Sequence, residues 1–431
     1  MIFRLVVIVT TLLFSINFLQ AQVPSPAKPQ ATPVILKGAT IHIGNGQVIE
    51  NGVIAFNKGK ITFVGKQEEL KLSGNENIIN VSEKHIYPGL IATNTILGLV
   101  EIEAVRPTRD FNEVGEFNPN IRSLIAYNTD SKIIPTIRSN GILLAEVIPQ
   151  GGIISGSSSV LQLDAWNWED AAYSTDKAIY LNWPVMHVKK GWWAQPEPSE
   201  QNKKYAEATK NIDDFFEQAL AYSKAEKISE KNLKMEAMKD VFLKKKKVFV
   251  NANGAKEILN IAAFKKRFNI EVVLVGGEES YLVADILKEN NIAVVLNEVH
   301  ALPAKSDDDV DLPFKLPAIL KEKGVDFCIT ISGSWQVRNL PFVAGTTVAY
   351  GLTKEEALKA ITLSAAKILG IEKQTGSLEA GKDANIIIST GDILDMKTSI
   401  IEHAFIQGRK IELDNHQTQL YNKFTDKYSK P

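Results

Sequence analysis

This sequence has few imidazole and thiol side chains with which to bind a metal ion or relay a proton. Its 431 residues include six histidines and one cysteine. His300 closely follows the strand-like run at residues 293–296, so it is the histidine best placed to line a site. We expect the others to be structural, with His187 in a loop or helix; they are His42, His85, His187, His403 and His416.

The single cysteine excludes an internal disulfide bond. Cys328 stands in an apolar run that predicts a buried strand. Nothing near it in the sequence would activate a thiol, and in that setting a cysteine packs as a small hydrophobic side chain. We therefore predict no thiol chemistry.

The first residues have the pattern of an export signal. A positive charge at Arg4 precedes an apolar run, and Ala21 offers a small residue suited to cleavage. We expect a signal peptide over residues 1–21, a proline-rich linker over residues 22–33, and a mature protein in the periplasm or outside the cell. The alternative is an uncleaved N-terminal anchor. No later apolar stretch reaches membrane length.

The remaining chain shows two kinds of pattern. Short apolar runs between glycines and asparagines predict a small β-sandwich over residues 34–86, and such runs return over residues 373–412. Residues 87–372 instead alternate strand-like runs with helical stretches, and their length suits a (β/α)8 barrel. We predict an α/β fold in which a TIM-like barrel is inserted in a β-sandwich domain built from both chain ends. Residues 413–431 form a tail.

Within the barrel region we predict helices at residues 255–268, 280–290 and 354–369 from their apolar periodicity. The formal net charge of the chain is −1. Such a charge gives no global field that would attract nucleic acid or an anionic membrane.

Three segments resemble the metal-dependent amidohydrolases, in particular the imidazolonepropionase-like branch. They are HIYPGLI at residues 85–91, RNLPFVAG at residues 338–345 and GSLEAGKDAN at residues 376–385. The resemblance covers nearly the whole mature chain. It implies a barrel with active-site residues at the C-terminal ends of its strands, and hydrolysis by a hydroxide bound to zinc or another divalent metal.

The residues that would carry that chemistry are replaced. Where the family has His-x-His after its first barrel strand, this chain has Asn94 and Ile96. The fifth strand leads into Asn251 rather than a ligating histidine. Gly333 stands where the catalytic aspartate is expected. Isoleucine cannot bind a metal, and an asparagine amide oxygen suits Ca²⁺ better than Zn²⁺.

The resemblance places a ring of mostly neutral polar side chains at the barrel mouth. We predict that it binds a small molecule by hydrogen bonds, and the alternative is that these side chains satisfy one another around water. The candidate residues are Asn94, Asn251, Asn253, His300, Ser332, Ser334 and Trp335.

Five tryptophans lie close together in the sequence, in an apparent insertion. This insertion could form a loop over the barrel mouth or a surface that binds a partner, and the alternative is ordinary packing of a long insertion. The tryptophans are Trp166, Trp168, Trp183, Trp192 and Trp193.

Three functions remain open. The first is a non-catalytic amidohydrolase-like protein that binds a ligand or pairs with an active homologue in a homo- or hetero-oligomer. The second is an active hydrolase of non-peptide C–N bonds with an atypical metal site, for example a mononuclear one at His300 and Glu298. The third is a structural or interaction protein. We favour the first, and expect no catalytic residue, no metal and no other cofactor.

Overall fold

The computed structural model describes residues 25–70, 74–192, 195–297, 299–303, 305 and 307–429, with side chains described outside residues 189–198. The signal peptide expected at residues 1–21 lies outside this range. Within the range, none of the helices combines the length and apolar character that a bilayer crossing requires.

The N-terminal part of the sheet domain has five strands. They are β1 (Val34–His42), β2 (Val48–Asn57), β3 (Lys60–Lys66), β4 (Asn77–Asn80) and β5 (His85–Pro88). Strand β1 pairs antiparallel with β2, and β2 pairs antiparallel with β3. Along its other edge, β1 pairs parallel with β4 and β5.

The barrel follows, interrupted by a two-stranded arm. The barrel strands before the arm are β6 (Leu90–Thr95), β7 (Ile142–Val147), β8 (Ile154–Gln162) and β9 (Ala172–Asn182). The arm consists of β10 (His187–Trp192) and β11 (Gln195–Gln201). The barrel strands after it are β12 (Lys247–Ala252), β13 (Val272–Gly276), β14 (Ala293–Leu296) and β15 (Phe327–Ile329). Hydrogen bonding joins the eight barrel strands in the order β15-β14-β13-β12-β9-β8-β7-β6. His187, predicted in a loop or helix, begins strand β10.

The predicted TIM-like barrel is confirmed, with one reversed strand. Strand β8 runs antiparallel to both β7 and β9, whereas the other neighbouring pairs are parallel. The connections at residues 148–153 and 163–171 are too short for the crossover that parallel strands need, so the chain turns back directly. Strands β6 and β15 nearly close the barrel, because the Ile96 N–H donates to the Gly333 carbonyl at 3.1 Å.

The helices, in chain order, are α1 (Ile134–Arg138), α2 (Trp168–Ala171), α3 (Tyr205–Lys224), α4 (Leu233–Phe242), α5 (Ala255–Phe268), α6 (Ala284–Glu289), α7 (Leu312–Lys323), α8 (Leu340–Thr346), α9 (Lys354–Ala360), α10 (Leu363–Leu369) and α11 (His416–Tyr428). Helix α5 has the predicted bounds. It begins where the Glu257 carboxylate accepts a hydrogen bond from the Gly254 N–H at 3.2 Å, and it ends at Asn269 in the left-handed region.

Two predicted helices differ from the structure. Residues 280–290 form a 3-10 turn followed by α6, and residues 354–369 form two helices, α9 and α10, rather than one. Between α9 and α10, the Ile361 carbonyl accepts a hydrogen bond from the Ile91 N–H of strand β6 at 3.0 Å. The break between the two helices occurs at this contact with the barrel, although the apolar period continues through the break.

The C-terminal strands complete the sheet domain. They are β16 (Ile386–Ser389), β17 (Ile401–Ile406) and β18 (Arg409–Ile411). Strand β16 pairs antiparallel with β5, so both chain ends share one eight-stranded sheet rather than two separate sheets. In its core, the rings of Phe56 and Phe405 meet edge to face with centroids 5.0 Å apart.

The sheet domain and the barrel meet through polar and close-packed contacts. His42 Nδ1 lies 2.6 Å from Glu355 of α9, and His42 Nε2 lies 3.1 Å from His85 Nδ1. Both histidines therefore have structural roles at this boundary. Nearby, Gly345 of α8 packs so tightly on the Leu394 carbonyl oxygen that a Cβ atom would overlap it.

We predict that Gly345→Ala destabilises the protein. In a helix, alanine is favoured over glycine by about 1 kcal/mol, so a lower free energy of unfolding in the variant reports the clash with Leu394. We expect the free energy of unfolding to fall by about 2 kcal/mol. The measurement is the free energy of unfolding in urea. As a control, Gly254→Ala meets only side-chain atoms of Glu257, at 3.3 Å or more, and should cost less than about 1 kcal/mol. Equal stability of wild type and Gly345→Ala would contradict the packing described.

Candidate functional site

Asparagines stand at the C-terminal ends of four barrel strands. Asn94 lies on β6, Asn182 ends β9, Asn251 lies on β12, and Asn297 directly follows β14. Because β8 is reversed, its N-terminal residue Ser155 reaches the same end of the barrel. The sequence analysis singled out Asn94 and Asn251 but missed the other two.

Asn94 is buried, with 5% of its surface exposed, and its φ of 55° is in the left-handed region that asparagine tolerates. Its Nδ2 donates to Asn297 Oδ1 at 2.9 Å, and its backbone N–H donates to Glu146 at 3.1 Å. Its Oδ1 is buried and has no hydrogen-bond partner among the described residues. A buried acceptor without a donor is uncommon in folded proteins and calls for a bound molecule or water.

Glu146 of β7 is a site residue that the sequence analysis did not identify. Its side chain is buried and accepts hydrogen bonds from three groups: the Asn94 N–H, the Ser158 hydroxyl at 2.7 Å and the Tyr180 hydroxyl at 2.9 Å. Burial raises the pKa of this carboxyl, and the three donors oppose that shift. The available signal was an acidic residue inside the otherwise apolar run of β7.

Asn251 belongs to a second amide pair. Its Nδ2 donates to Asn182 Oδ1 at 2.7 Å, and Asn182 Nδ2 donates to the Gly152 carbonyl at 2.8 Å and to Ser155 Oγ at 3.1 Å. The end of the barrel thus carries two side-chain amide pairs, Asn94–Asn297 and Asn182–Asn251, which we call the amide pairs.

Two other predicted residues, His300 and Asn253, have their hydrogen bonds with groups other than the amide pairs. His300 Nε2 is hydrogen-bonded to Thr346 Oγ1 of α8 at 2.8 Å, and its ring lies 5.6 Å from that of Phe314 on α7. Partial burial lowers the pKa of His300. Asn253 is exposed, and its backbone carbonyl accepts the Glu279 N–H at 2.9 Å.

The residues after β15 form a turn beside the end of β6. Ser334 is buried and Ser332 half-buried, and between them Gly333 has a φ of 97°. Trp335 is half-buried, with the Arg338 guanidinium 4.5 Å above its ring centroid. The Ile96–Gly333 backbone hydrogen bond therefore joins the two positions at which the resemblance expects the second histidine and the catalytic aspartate.

The donor set at this end of the barrel does not fit a catalytic zinc ion. Zinc takes imidazole, thiolate and carboxylate ligands. In the part of the chain that the structure describes, which leaves out Glu298, no three such side chains come close enough together to hold a metal ion. The oxygens of Glu146 already accept three hydrogen bonds, and the groups around it are amides and hydroxyls.

The three tryptophans of this stretch whose side chains the structure describes have different surroundings. Trp183 is buried, its N–H donates to the Tyr205 hydroxyl at 3.0 Å, and its ring meets Phe264 edge to face. Trp166 is 67% exposed, and Trp168 is half-buried. The side chain of Trp192 and all of Trp193 lie outside the described residues.

Comparisons with known proteins agree with this architecture. The sequence profile of the amidohydrolase family matches residues 314–411. The chain is similar to an imidazolonepropionase from Fusobacterium nucleatum, with 26% identity over 81% of this chain and 87% of that protein. It is also similar to the amidohydrolase tasK of Hapsidospora irregularis, with 28% identity over 28% of this chain but only 13% of the longer protein.

Among solved structures, an amidohydrolase from Thermotoga maritima superposes with a TM-score of 0.75 at 23% identity. The superposition covers 88% of this chain and 99% of that one. This likeness concerns the fold. It agrees with the barrel joined to a sheet domain from both chain ends. The family match, the sequence relatives and the shared fold support the amidohydrolase superfamily, in its imidazolonepropionase-like branch, as the family of this chain.

Proposed function

We propose that this protein is a non-catalytic member of the amidohydrolase superfamily that binds a small uncharged polar ligand at the amide pairs. The observation that carries the proposal is that paired asparagine amides stand at the C-terminal ends of the barrel strands, where the resemblance expects imidazoles, while Gly333 stands where it expects a carboxylate.

The chemistry of the superfamily depends on a metal-activated water. A catalytic zinc ion lowers the pKa of its bound water from about 15.7 to about 7, which provides a hydroxide at neutral pH. Neutral amides have no comparable effect on the pKa of a water molecule. The side chain of Glu146 is an unsuitable general base, because three donors already occupy its oxygens.

The same residues are suited to binding. Each asparagine offers both a donor and an acceptor, which matches a ligand that itself carries amide or hydroxyl groups. The buried Asn94 Oδ1 needs a donor, and an N–H or O–H group of a ligand would supply it. An ionised ligand is disfavoured, because no opposite charge among these groups is free to compensate its desolvation.

Metal analysis tests the first half of the proposal. We predict that the purified protein, incubated with excess zinc and passed through a desalting column, retains far less than one metal ion per chain. The reason is that amide oxygens bind Zn²⁺ poorly. The measurement is metal content by mass spectrometry, with thermal unfolding in the presence and absence of a chelator. Stoichiometric zinc, iron or manganese, or a chelator-dependent melting temperature, would overturn the non-catalytic assignment.

Ligand binding tests the second half. We predict that Asn94→Gly, which tolerates the left-handed backbone but lacks the amide, abolishes the thermal stabilisation produced by small uncharged carboxamides and cyclic ureas. A ligand at about 100 times its Kd stabilises a protein by about 2.7 kcal/mol, which a melting curve detects. The bound compounds should be recovered unhydrolysed.

Asn269→Gly is the matched control for this test. Asn269 also has a left-handed backbone, with a φ of 52°, but it lies at the end of α5. This variant should respond to the ligands as the wild type does. The proposal fails if no uncharged compound stabilises the wild type, or if Asn94→Gly responds equally.

A further inference from the structure

A cavity of about 350 Å³ opens at the other end of the barrel. Its walls include Lys247, Val272, Ala293 and Phe327, which are at the N-terminal ends of β12, β13, β14 and β15. Helices α9 and α10 supply the opposite wall. A volume of this size is within the range of small-molecule sites. The cavity shares no residue with the amide pairs, so it is a separate site.

Charged side chains line the cavity. The cations are Lys247, Lys321, Lys359 and Lys367, and the carboxylates are Glu271, Asp326 and Glu356. Two of the carboxylates are already paired: Glu356 lies 2.7 Å from Lys321, and Glu271 lies 3.1 Å from Lys265, which is not part of the lining.

Three of these lysines are not neutralised. Among the residues that the structure describes, Lys247, Lys359 and Lys367 have no carboxylate oxygen within ion-pair distance. Asp326 is the remaining unpaired carboxylate of the lining. The four lysines and three carboxylates of the lining give it a formal net charge of +1, and the pairing of Glu271 with Lys265 outside the lining leaves about +2 of uncompensated charge.

Lys247 is a half-buried lysine of the cavity wall. Its Nζ donates to the carbonyls of Lys367 at 3.3 Å and Ile368 at 2.7 Å, at the C-terminal end of α10. These bonds hold the ammonium group at the cavity wall but supply no full negative charge. Burial lowers the pKa of Lys247, in spite of the carboxylates at greater distance. An anion in the cavity would offset that desolvation cost.

We propose that this cavity binds a small organic dianion, a phosphate monoester or a dicarboxylate, with Lys247, Lys359 and Lys367 as its cationic partners. The dianion balances the charge that the three unpaired lysines and the unpaired Asp326 leave uncompensated. The Ser364 hydroxyl and the Asn291 side chain also line the cavity and supply uncharged hydrogen-bonding groups. Asp326 disfavours more highly charged anions and favours a ligand that also carries a donor group.

Calorimetric titration of the full-length protein at low ionic strength tests the proposal, because salt screens these charges. The probes are phenyl phosphate, succinate and, as a monoanion, acetate. We expect saturable binding of one dianion per chain, with acetate much weaker. Tighter binding of phenyl phosphate than of succinate would assign the site to phosphate esters, and the reverse to dicarboxylates. Either result supports the site.

The deciding comparison uses two double variants with the same change in net charge. Lys359→Gln/Lys367→Gln removes two lining cations, and Lys373→Gln/Lys397→Gln removes two exposed lysines outside the lining. We expect the first to weaken dianion binding at least about tenfold and the second less than about twofold, since only the first removes charge-assisted contacts. Both alter surface positions of the fold, and circular dichroism confirms folding.

The proposal is overturned if the wild type shows no saturable binding of either dianion, if acetate binds as tightly, or if both double variants weaken binding equally. Reductive methylation provides an independent readout. With phenyl phosphate or succinate present, Lys359 and Lys367 should be modified more slowly while Lys373 is modified at an unchanged rate. Unprotected Lys359 and Lys367 under saturating dianion would contradict the assignment.

Discussion

The buried carboxylate of Glu146 constrains the barrel more than any other polar group described. A carboxylate taken out of water costs several kcal/mol unless hydrogen bonds compensate it. Glu146 lies on β7, and its three donors come from β6, β8 and β9. One side chain therefore connects four neighbouring strands. One of its donors is the backbone N–H of Asn94, so the same contact also holds the left-handed residue that presents the first amide pair.

The two ends of the barrel have different chemistry. At the C-terminal ends of the strands, amides satisfy one another and a backbone hydrogen bond joins Ile96 to Gly333. At the N-terminal ends, lysines surround an open volume. In barrel enzymes the first of these ends carries catalysis and the second contributes to stability. In this chain, the residues that could attract a charged molecule are at the end where catalytic sites are not found.

Sequence patterns predicted the architecture well where local and tertiary preferences agree. Helix α5 has both an apolar face and capping residues at its ends, so its bounds were predictable from the sequence alone. The apolar period at residues 354–369 predicted one helix instead of two. The break between them was missed because it coincides with the hydrogen bond from Ile91 to Ile361, which joins segments far apart in the chain. The reversal of β8 was equally hidden, since its run of serines gives no apolar signal for a strand.

The candidate site was less predictable than the fold. Asn94 and Gly333 could be placed by resemblance, because one quoted motif precedes Asn94 and another follows Gly333 in the sequence. Asn182 ends β9 and Asn297 follows β14, and the bounds of both strands depend on the barrel itself. Glu146 is inconspicuous within an apolar strand. His300 was placed near the mouth from its distance along the chain, which does not determine its direction, and in the structure it bonds to Thr346.

The reversed strand also affects how the barrel can assemble. Strands β7, β8 and β9 follow one another through short connections, so their contacts are local in sequence and need little loop-closure entropy. By contrast, the contact between Thr93 and Cys328, where β6 meets β15, joins residues 235 positions apart. Folding rates depend on such sequence separations. The meander of β7 to β9 thus closes only short loops, whereas the seam between the first and last strands closes the longest loop of the barrel.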